Sequence, residues 1–298
     1  YDTNVPSQSC QLTNANGCDS TAILNLTINQ ADTSYTNITA CDSVEWNGEW
    51  YDSSGTYVSN LSSLNYHSLN FDGQANYVEI NTNQNNYEDF SVGFWIKTSS
   101  TNNNFNRLVN KICDNCPQGE WQINFEGNVN GSIGFSIEQS GGIPTSELRS
   151  STFVNDNLFH FVVVTRNNNT GELQLYIDGV LEDSTINSNN IYSISNTYPI
   201  QIGYNLWDQG YNHFAGFLDN IMIFNDVLTL NEIQQYMNCL PILSDTSLIG
   251  LWNFEEGVGI TAYDQTSNGN NGLINGAQFD SNVPSQSCQL TNANGCDS

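Results

Sequence analysis

The sequence predicts an all-β protein whose main part is an antiparallel sandwich. Strand patterns recur at short spacing, they do not alternate with helical patterns, and only one helix is predicted, over residues 228–237. Many short strands without βα units are typical of two packed antiparallel sheets. The predicted sandwich strands are 68–71, 77–80, 90–96, 121–125, 133–137, 159–164, 172–177, 200–203 and 217–224.

One segment of the sequence occurs twice, at positions 1–20 and 279–298. The two copies differ only at Tyr1/Phe279 and Thr3/Ser281, and both cysteines of the first copy recur in the second at the same offset. Near-identical copies at a fixed spacing indicate a tandem array. The chain is therefore expected to hold one period of an array and the start of the next period.

The part of the chain before the sandwich, positions 1–62, predicts a small β module. Residues 22–28 alternate apolar and polar side chains, which is typical of a half-buried strand. Residues 44–51 carry Asn47-Gly48 at their centre, and this dipeptide favours the two-residue turn of a β-hairpin. A further strand is expected from residue 56, and no helix is predicted in this part.

The charge of the chain limits its partners. It has 31 acidic and 5 basic residues, a formal net charge of −26, and 38% hydrophobic residues. This composition is globular, and the negative charge argues against binding to nucleic acid or to anionic membranes. No apolar run reaches the length of a membrane-spanning helix, so no membrane insertion is expected. The polar, acidic composition suits an extracellular location, and the alternative is that the acidity only keeps a long polymer soluble.

The cysteines indicate an oxidising compartment. The eight cysteines reduce to six per period, an even number typical of disulfides in a secreted protein. Zinc is the alternative for Cys113 and Cys116, but His67, His160 and His213 show no matching ligand spacing. A local Cys113–Cys116 bond is expected, together with a Cys239–Cys288 bond that holds the helix end to the repeated segment.

The small module resembles the cysteine-bearing β repeats of giant Bacteroidetes surface proteins. The resemblance rests on residues 40–48 (ACDSVEWNG), on 54–57 (SGTY), and on TNANGCDS at 13–20 and 291–298. It implies that a large domain separates the two halves of the module. The expected parts are 1–33, the end of a preceding module; 34–62, the first half of the next; 63–279, the inserted domain; and 280–298, the completing half.

The same resemblance implies a disulfide pattern. Cys41 would pair with Cys296, while Cys10 and Cys18 would pair with cysteines of the preceding repeat. A bond between Cys18 and Cys41 within one module is the competing possibility, and the sequence leaves both open.

The inserted domain resembles the laminin-G-like, concanavalin-type jelly roll. The motifs that carry this resemblance occur in the family's order at 69–73 (LNFDG), 90–95 (FSVGFW), 159–166 (FHFVVVTR), 175–180 (LYIDGV) and 216–224 (GFLDNIMIF). One departure is that 250–257 (GLWNFEEG) resembles a segment that normally opens such domains but comes last here. A permuted edge strand would bring the ends of the domain together.

A polysaccharide-cleaving enzyme is the least favoured interpretation. Some sandwiches of this kind carry alternating Glu, Asp and Glu on one strand, and residues 120–126 have Gln122 and Asn124 between Glu120 and Glu126. His160 lies in an apolar strand, where a hydrogen-bonded structural histidine is expected rather than a base. No catalytic residue is assigned.

Calcium is the expected cofactor, in a structural role. The resemblance implies Asp72 and Asp219 as ligands, and Asp264, Asn268 and Asn270 form a second group of oxygen donors. The alternative is that these Asp and Asn residues form turns by bonding their own backbone.

A candidate sugar-binding loop lies at a rim of the sandwich, between two strands. Trp207 and Tyr211 would stack on sugar rings, and Asp208 and Asn212 would bond hydroxyl groups. The favoured interpretation is that this aromatic loop packs on the core or on a neighbouring module.

The leading functional prediction is a structural and adhesive repeat of a long secreted surface protein that forms a fibre or filament. Its partners would be neighbouring copies of the repeat and surface glycans or other cells. A carbohydrate-binding module that acts through multivalency is the alternative.

Overall fold

The computed structural model describes residues 5–13, 19–26, 38–39, 43–46, 49–53, 65–82, 88–101, 105–112, 119–126, 131–138, 146–194, 196–204 and 213–286. The chain divides into two compact units, residues 1–55 together with Ser298, and residues 56–297. The sequence placed the corresponding boundary after residue 62. The assignment of 34–62 and 280–298 to two halves of one module stays a prediction.

The first unit contains two antiparallel hairpins. Strand β1 (Val5–Thr13) pairs with β2 (Asp19–Leu26), and β3 (Val44–Trp46) pairs with β4 (Glu49–Tyr51). Trp46 lies opposite Glu49, so two residues connect β3 and β4, as the Asn-Gly dipeptide predicted.

The second unit is a sandwich of two antiparallel sheets, which confirms the predicted fold class. Sheet 1 follows the strand order β14-β13-β12-β7-β16-β5-β20, and β17 also pairs with β16. Its strands are β5 (Ser68–Asp72), β7 (Phe90–Lys97), β12 (Phe159–Asn167), β13 (Glu172–Ile177), β14 (Val180–Ile186), β16 (Ala215–Phe224), β17 (Leu248–Trp252) and β20 (Gln278–Asp280).

Sheet 2 follows the order β11-β10-β9-β8-β15-β6-β19-β18. Its strands are β6 (Tyr77–Ile80), β8 (Phe105–Lys111), β9 (Glu120–Glu126), β10 (Ser132–Glu138), β11 (Ser146–Arg149), β15 (Ile200–Ile202), β18 (Thr261–Ala262) and β19 (Gly272–Asn275). A short 3₁₀ helix (Ser188–Asn190) follows β14.

The main core lies between the two sheets. Alternate residues of β7 and β9 fill it, including Phe90, Phe94, Trp121 and Phe125, all with 0% exposure. The rings of Phe90 and Trp121 are 5.5 Å apart across the sheets. Removal of such an aromatic side chain from a packed core costs about 3–5 kcal/mol.

The helix covers the outer face of sheet 1. Helix α1 (Leu230–Asn238) begins after Thr229, whose hydroxyl accepts from the Glu232 N–H while the Glu232 carboxylate accepts from the Thr229 N–H. Tyr236 stacks on Phe224 of β16 at 5.4 Å. Sheet 1 is therefore apolar on both faces, which explains why β7 reads as an almost continuous apolar run.

The last strands complete both sheets. Strand β17 pairs with β16, β19 pairs with β6, and β20 pairs with β5. Residues 250–257 resemble a segment that opens such domains, and here they follow the other motifs in the chain. Strand β17, which overlaps this segment, nevertheless pairs within sheet 1. Within the described residues, no helix is long and apolar enough to cross a membrane.

Candidate functional site

Sheet 2 carries polar side chains on the face opposite the core. In β9, Trp121, Ile123 and Phe125 point into the core, so the residues between them point outward. Strand pairing extends this outward row across neighbouring strands. We call this surface the polar face, and its members are Arg107, Asn110, Gln122, Asn124, Glu126, Gly134, Ser136, Glu147, Arg149 and Gln201.

Part of the polar face is buried although it faces away from the core, whereas Glu147 and Arg149 are exposed. Glu126 and Asn110 have 0% exposure, Gln201 has 2% and Asn124 has 5%. Polar groups lose hydrogen bonds to water on burial, so each of them needs a partner. Asn124 has one, because its Oδ1 accepts from Arg107 at 2.8 Å.

Three acceptor atoms of the polar face have no hydrogen-bond partner in the described part of the chain. They are Asn110 Oδ1, Gln122 Oε1 and Glu126 Oε1. Asn110 lies directly opposite Gln122 in the β8–β9 register, and Glu126 lies four residues further along β9. At about 3.3 Å per residue, the row of acceptors extends over about 13 Å. A molecule that donates several hydrogen bonds would satisfy this row.

Glu126 is held flat against the sheet. Its Oε2 accepts from Arg149 Nε at 2.5 Å, and its Oε1 occupies the space that a Cβ atom at position 134 would need. A side chain at position 134 would therefore have to displace the Glu126 carboxylate. Burial raises the pKa of Glu126 above its ordinary value, Arg149 opposes this rise, and the Glu147 carboxylate adds to it.

Aromatic rings adjoin the polar face. Tyr204 stacks on His213 with ring centres 4.7 Å apart and planes 3° apart, and Tyr77 lies 5.2 Å from Tyr204. The Tyr204 carbonyl accepts from Asn110 Nδ2 at 2.8 Å, which places the rings next to the acceptor row. Both tyrosines are half-buried, so part of each ring is accessible.

The sequence did not reveal the polar face. Strands β8 and β11, which supply Arg107, Asn110 and Arg149, were not predicted. In β8, a bulge between Arg107 and Val109 breaks the alternation of apolar and polar residues. Strand β11 is only four residues long. A signal was present, since the few basic residues of this acidic chain include Arg107, Lys111 and Arg149.

The two carboxylates of the least favoured, enzymatic interpretation lie far apart. Glu120 and Glu126 share one face of β9, six residues apart, which separates them by about 20 Å. Glycoside hydrolysis requires about 5–9.5 Å between its two carboxyl groups. These two residues therefore do not form such a pair.

The predicted sugar-binding loop lies outside the described residues. This applies to Trp207, Asp208, Tyr211 and Asn212, and their role stays a prediction. The residues that flank this loop are described and include the stacked pair Tyr204 and His213, whose rings adjoin the polar face.

The predicted disulfides fall mostly outside the described residues as well. Cys239 is disulfide-bonded. Its expected partner Cys288 is not described, nor is the pairing of Cys41, Cys296, Cys18, Cys113 and Cys116. Cys10 lies in β1, and its side chain is not described.

Asp72 and Asp219, the two calcium ligands that the resemblance implies, do not lie close together. Asp72 lies opposite Ala215 in the β5–β16 register, four residues from Asp219, so about 13 Å of strand separates them. Asp72 is exposed, and its Oδ1 accepts from the Gln74 N–H at 2.8 Å, which is the turn geometry considered as the alternative. One ion cannot be bound by both residues.

Asp219 lies at a bulge of β16 with 0% exposure. Its carboxylate accepts from Asn65 Nδ2 at 2.7 Å and from the Asn220 N–H at 2.7 Å. Burial raises the pKa of Asp219 well above its ordinary value, and these hydrogen bonds oppose the shift. Asn65 Oδ1 and Asn253 Oδ1 have no partner in the described residues, and the pairing of Ile221 with Trp252 brings Asn253 beside Asn220.

This arrangement fits a hard cation such as calcium. Carboxylate and amide oxygens are calcium ligands, and rotation of the Asn65 amide would turn its oxygen toward Asp219. The described residues contain no group of three His, Cys, Asp or Glu side chains that could hold a metal, so amide oxygens would have to take part.

The second group of expected calcium ligands forms hydrogen bonds. Asp264 accepts from the Leu251 N–H, from the Thr266 N–H and hydroxyl, and from the Asn270 N–H. The side-chain amides of Asn268 and Asn270 donate to the Ile249 carbonyl. A cation here would have to replace these bonds, and the calcium assignment stays a prediction.

Two titratable groups elsewhere fasten loops to sheet 1. His160 Nδ1 lies 2.7 Å from Asp178 Oδ2, and Nε2 lies 3.1 Å from Asp156 Oδ1. The hydrogen bond to Asp178 raises the pKa of His160. The Glu182 carboxylate accepts from the backbone N–H groups and hydroxyls of Ser151 and Thr152. Burial alone would raise the pKa of Glu182, but these bonds lower it.

Comparison with solved structures finds chains that are similar to this one. A Bacteroides ovatus protein provisionally named a carbohydrate binding protein shares 15% identity with a TM-score of 0.59, over 75% of this chain and 62% of the other. A pentraxin from Limulus polyphemus shares 12% identity with a TM-score of 0.48, over 59% of this chain and 84% of the other. At 15% identity, the likeness to the Bacteroides ovatus protein concerns the fold alone.

A curated relative is the non-toxic nonhemagglutinin type E of Clostridium botulinum, 26% identical over 168 residues. The match covers 56% of this chain and only 13% of that protein. A laminin-G family model, described as the concanavalin A-like lectin/glucanases superfamily, matches residues 72–234, more than half of the chain. This chain belongs to the concanavalin A-like lectin/glucanases superfamily.

Proposed function

We propose that the jelly roll is a carbohydrate-binding module of an extracellular surface protein and that it binds through the polar face. The observation that carries this proposal is the row of buried acceptors Asn110 Oδ1, Gln122 Oε1 and Glu126 Oε1. A buried acceptor without a partner costs about 1–3 kcal/mol, so three of them in one row are expected to serve a ligand.

The chemistry of the row selects a neutral sugar. All three free positions are acceptors, so the ligand must supply donors, and the hydroxyl groups of a saccharide do so at short intervals. The rings of Tyr77 and Tyr204 add an apolar surface beside the row. The net charge of −26 disfavours acidic glycans. The Bacteroides ovatus protein supports the proposal only through its fold.

Affinity gel electrophoresis tests this function. The full chain is run through gels that contain a neutral polysaccharide (laminarin, galactomannan or arabinan) or an acidic one (alginate or polygalacturonate). We expect retardation by at least one neutral polymer and a loss of that retardation in Gln122→Ala, which breaks no described side-chain hydrogen bond. Asn169→Ala, the equivalent truncation of an amide on an exposed turn of sheet 1, is the control. Equal mobility in every gel would refute the proposal.

The repeated segment supports a second role as a structural and adhesive repeat. Copies joined at the fixed spacing of this segment would form a long surface fibre with neighbouring copies as partners. Weak sugar sites repeated along such a fibre would bind with avidity. Electron microscopy of the intact surface protein should show one density lobe per period, and a compact particle would contradict this role.

Calcium at Asp219 would be structural in this proposal. Asp219, Asn65 and Asn253 would hold the ion where β16 meets β17, on sheet 1 and away from the polar face. The ion would supply the positive charge that the buried Asp219 carboxylate lacks among the described residues.

A further inference from the structure

The second copy of the repeated segment closes the jelly roll. Phe279 lies opposite Leu69 where β20 pairs with β5, and its half-buried ring packs against the main core. The ring also meets His67 edge to face at 6.3 Å. This part of the repeat therefore forms an edge of sheet 1.

The residues that follow β20 bind the sandwich through side chains. The Asn282 carbonyl accepts from the Ser68 hydroxyl at 2.8 Å, and Asn282 Oδ1 accepts from Lys97 Nζ at 3.0 Å. Gln286 Oε1 accepts from Asn220 Nδ2 at 2.8 Å. We call the edge of β5 together with Ser68, Lys97 and Asn220 the acceptor groove.

The first copy of the segment carries the same side chains. Asn4 corresponds to Asn282, Gln8 to Gln286, and Tyr1 to Phe279. We propose that residues 1–8, the docking segment, bind the acceptor groove of a second copy of this chain. Residues 5–8 lie in β1 in this chain, whereas the equivalent residues 283–286 form no strand, so docking would release residues 5–8 from their pairing with β2. In a tandem array, the segment that closes one jelly roll would then lead directly into the next copy, without a spacer.

The two differences between the copies are compatible with the groove. Phe279 is half-buried, so a tyrosine hydroxyl at this position can reach water, and Ser281 is exposed, so a threonine methyl group there meets solvent. The charge of the segment is unchanged, because Asp2 corresponds to Asp280.

A pair of variants of the full chain tests the docking. Phe279→Ala, Asn282→Ala and Gln286→Ala together remove the side chains that the closing segment places against the acceptor groove, while the docking segment stays intact. We expect this variant to form concentration-dependent oligomers in analytical ultracentrifugation. The further changes Tyr1→Ala, Asn4→Ala and Gln8→Ala should return it to a monomer. A monomer at every concentration, or equal association of both variants, would overturn the proposal.

A milder variant tests the docking proposal if the triple alanine variant does not fold. Phe279→Tyr with Ser281→Thr makes the closing segment identical to the docking segment over its whole length. The unfolding midpoint should remain within about 4 °C of the unaltered chain. A larger loss would show that the docking sequence does not fit the groove and would overturn the proposal. Neither measurement depends on sugar binding.

Discussion

Replacement of Glu126 by glutamine should separate binding from stability. Glutamine has the shape of the protonated carboxyl group and no charge. Because burial raises the pKa of Glu126 from its ordinary value of 4.5, the folded chain holds the proton more tightly than the unfolded chain. The contribution of this group to stability is therefore full below pH 4.5 and is lost as the pH rises through the folded pKa. Glu126→Gln should remove that loss and unfold no more easily than the unaltered chain at pH 7.

The same substitution should weaken sugar binding. If glutamine accepts from Arg149 through its oxygen, its amide nitrogen takes the place of Glu126 Oε1 and presents a donor where the ligand needs an acceptor. A hydrogen bond to a charged group contributes about 1.5–3 kcal/mol, which corresponds to a loss in affinity of about 10-fold to 150-fold.

Two measurements on the same protein sample check this expectation. Urea unfolding at pH 4 and pH 7 gives the free energy of unfolding, and isothermal titration calorimetry with oligosaccharides of the neutral polymer retained in the gel assay gives affinity. Glu172→Gln, on β13 of sheet 1, is the control for both. Removal of one partner of a buried ion pair typically costs about 3–5 kcal/mol. A loss of that size at pH 7 would show that Glu126 and Arg149 form a structural pair, and the reasoning would be refuted.

Three further outcomes are expected. Because the pKa of His160 is raised, its interaction with Asp178 stabilises the fold fully below pH 6.5, and this stabilisation is lost as the pH rises through the folded pKa. Asp178→Asn should therefore make the free energy of unfolding, measured with urea, depend less on pH between pH 5.5 and 8.5. Glu182→Ala should lower the free energy of unfolding by about 2–3 kcal/mol, since it removes the acceptor of several hydrogen bonds, and an unchanged value would contradict the described contacts. Added Ca²⁺ should raise the unfolding midpoint at pH 7, EDTA should reverse this, and Asp219→Asn should abolish it; a rise that survives the substitution would place the ion elsewhere.

The sequence predicts those strands of the sandwich whose apolar pattern follows directly from the burial of one face or of both faces. Strands β9 and β10 alternate strictly because one face packs on the core, and β7 is apolar throughout because α1 covers its other side. The helix was predicted two residues too early, since its capping residue Thr229 lies beyond the first apolar position of the pattern.

The candidate site could be predicted only in part. The sequence places Gln122, Asn124 and Glu126 on one face of a strand, but this strand was considered only as a glycosidase strand that lacks the required Asp. Their significance depends on Asn110, which reaches them only through the β8–β9 register. Register is a long-range property set by pairing and bulges, and periodicity within one strand does not contain it.

The layer structure explains why the polar face lies on sheet 2. Sheet 1 is covered on one side by sheet 2 and on the other by α1, so polar side chains in the middle of β7 would be buried without partners. In the described part of the sandwich, the row of polar side chains that includes Asn110, Gln122 and Glu126 lies on the outer face of sheet 2. Next to this row, a side chain at Gly134 would have to displace the Glu126 carboxylate. The glycine leaves the Glu126 carboxylate in the position where the proposed ligand would use it as an acceptor.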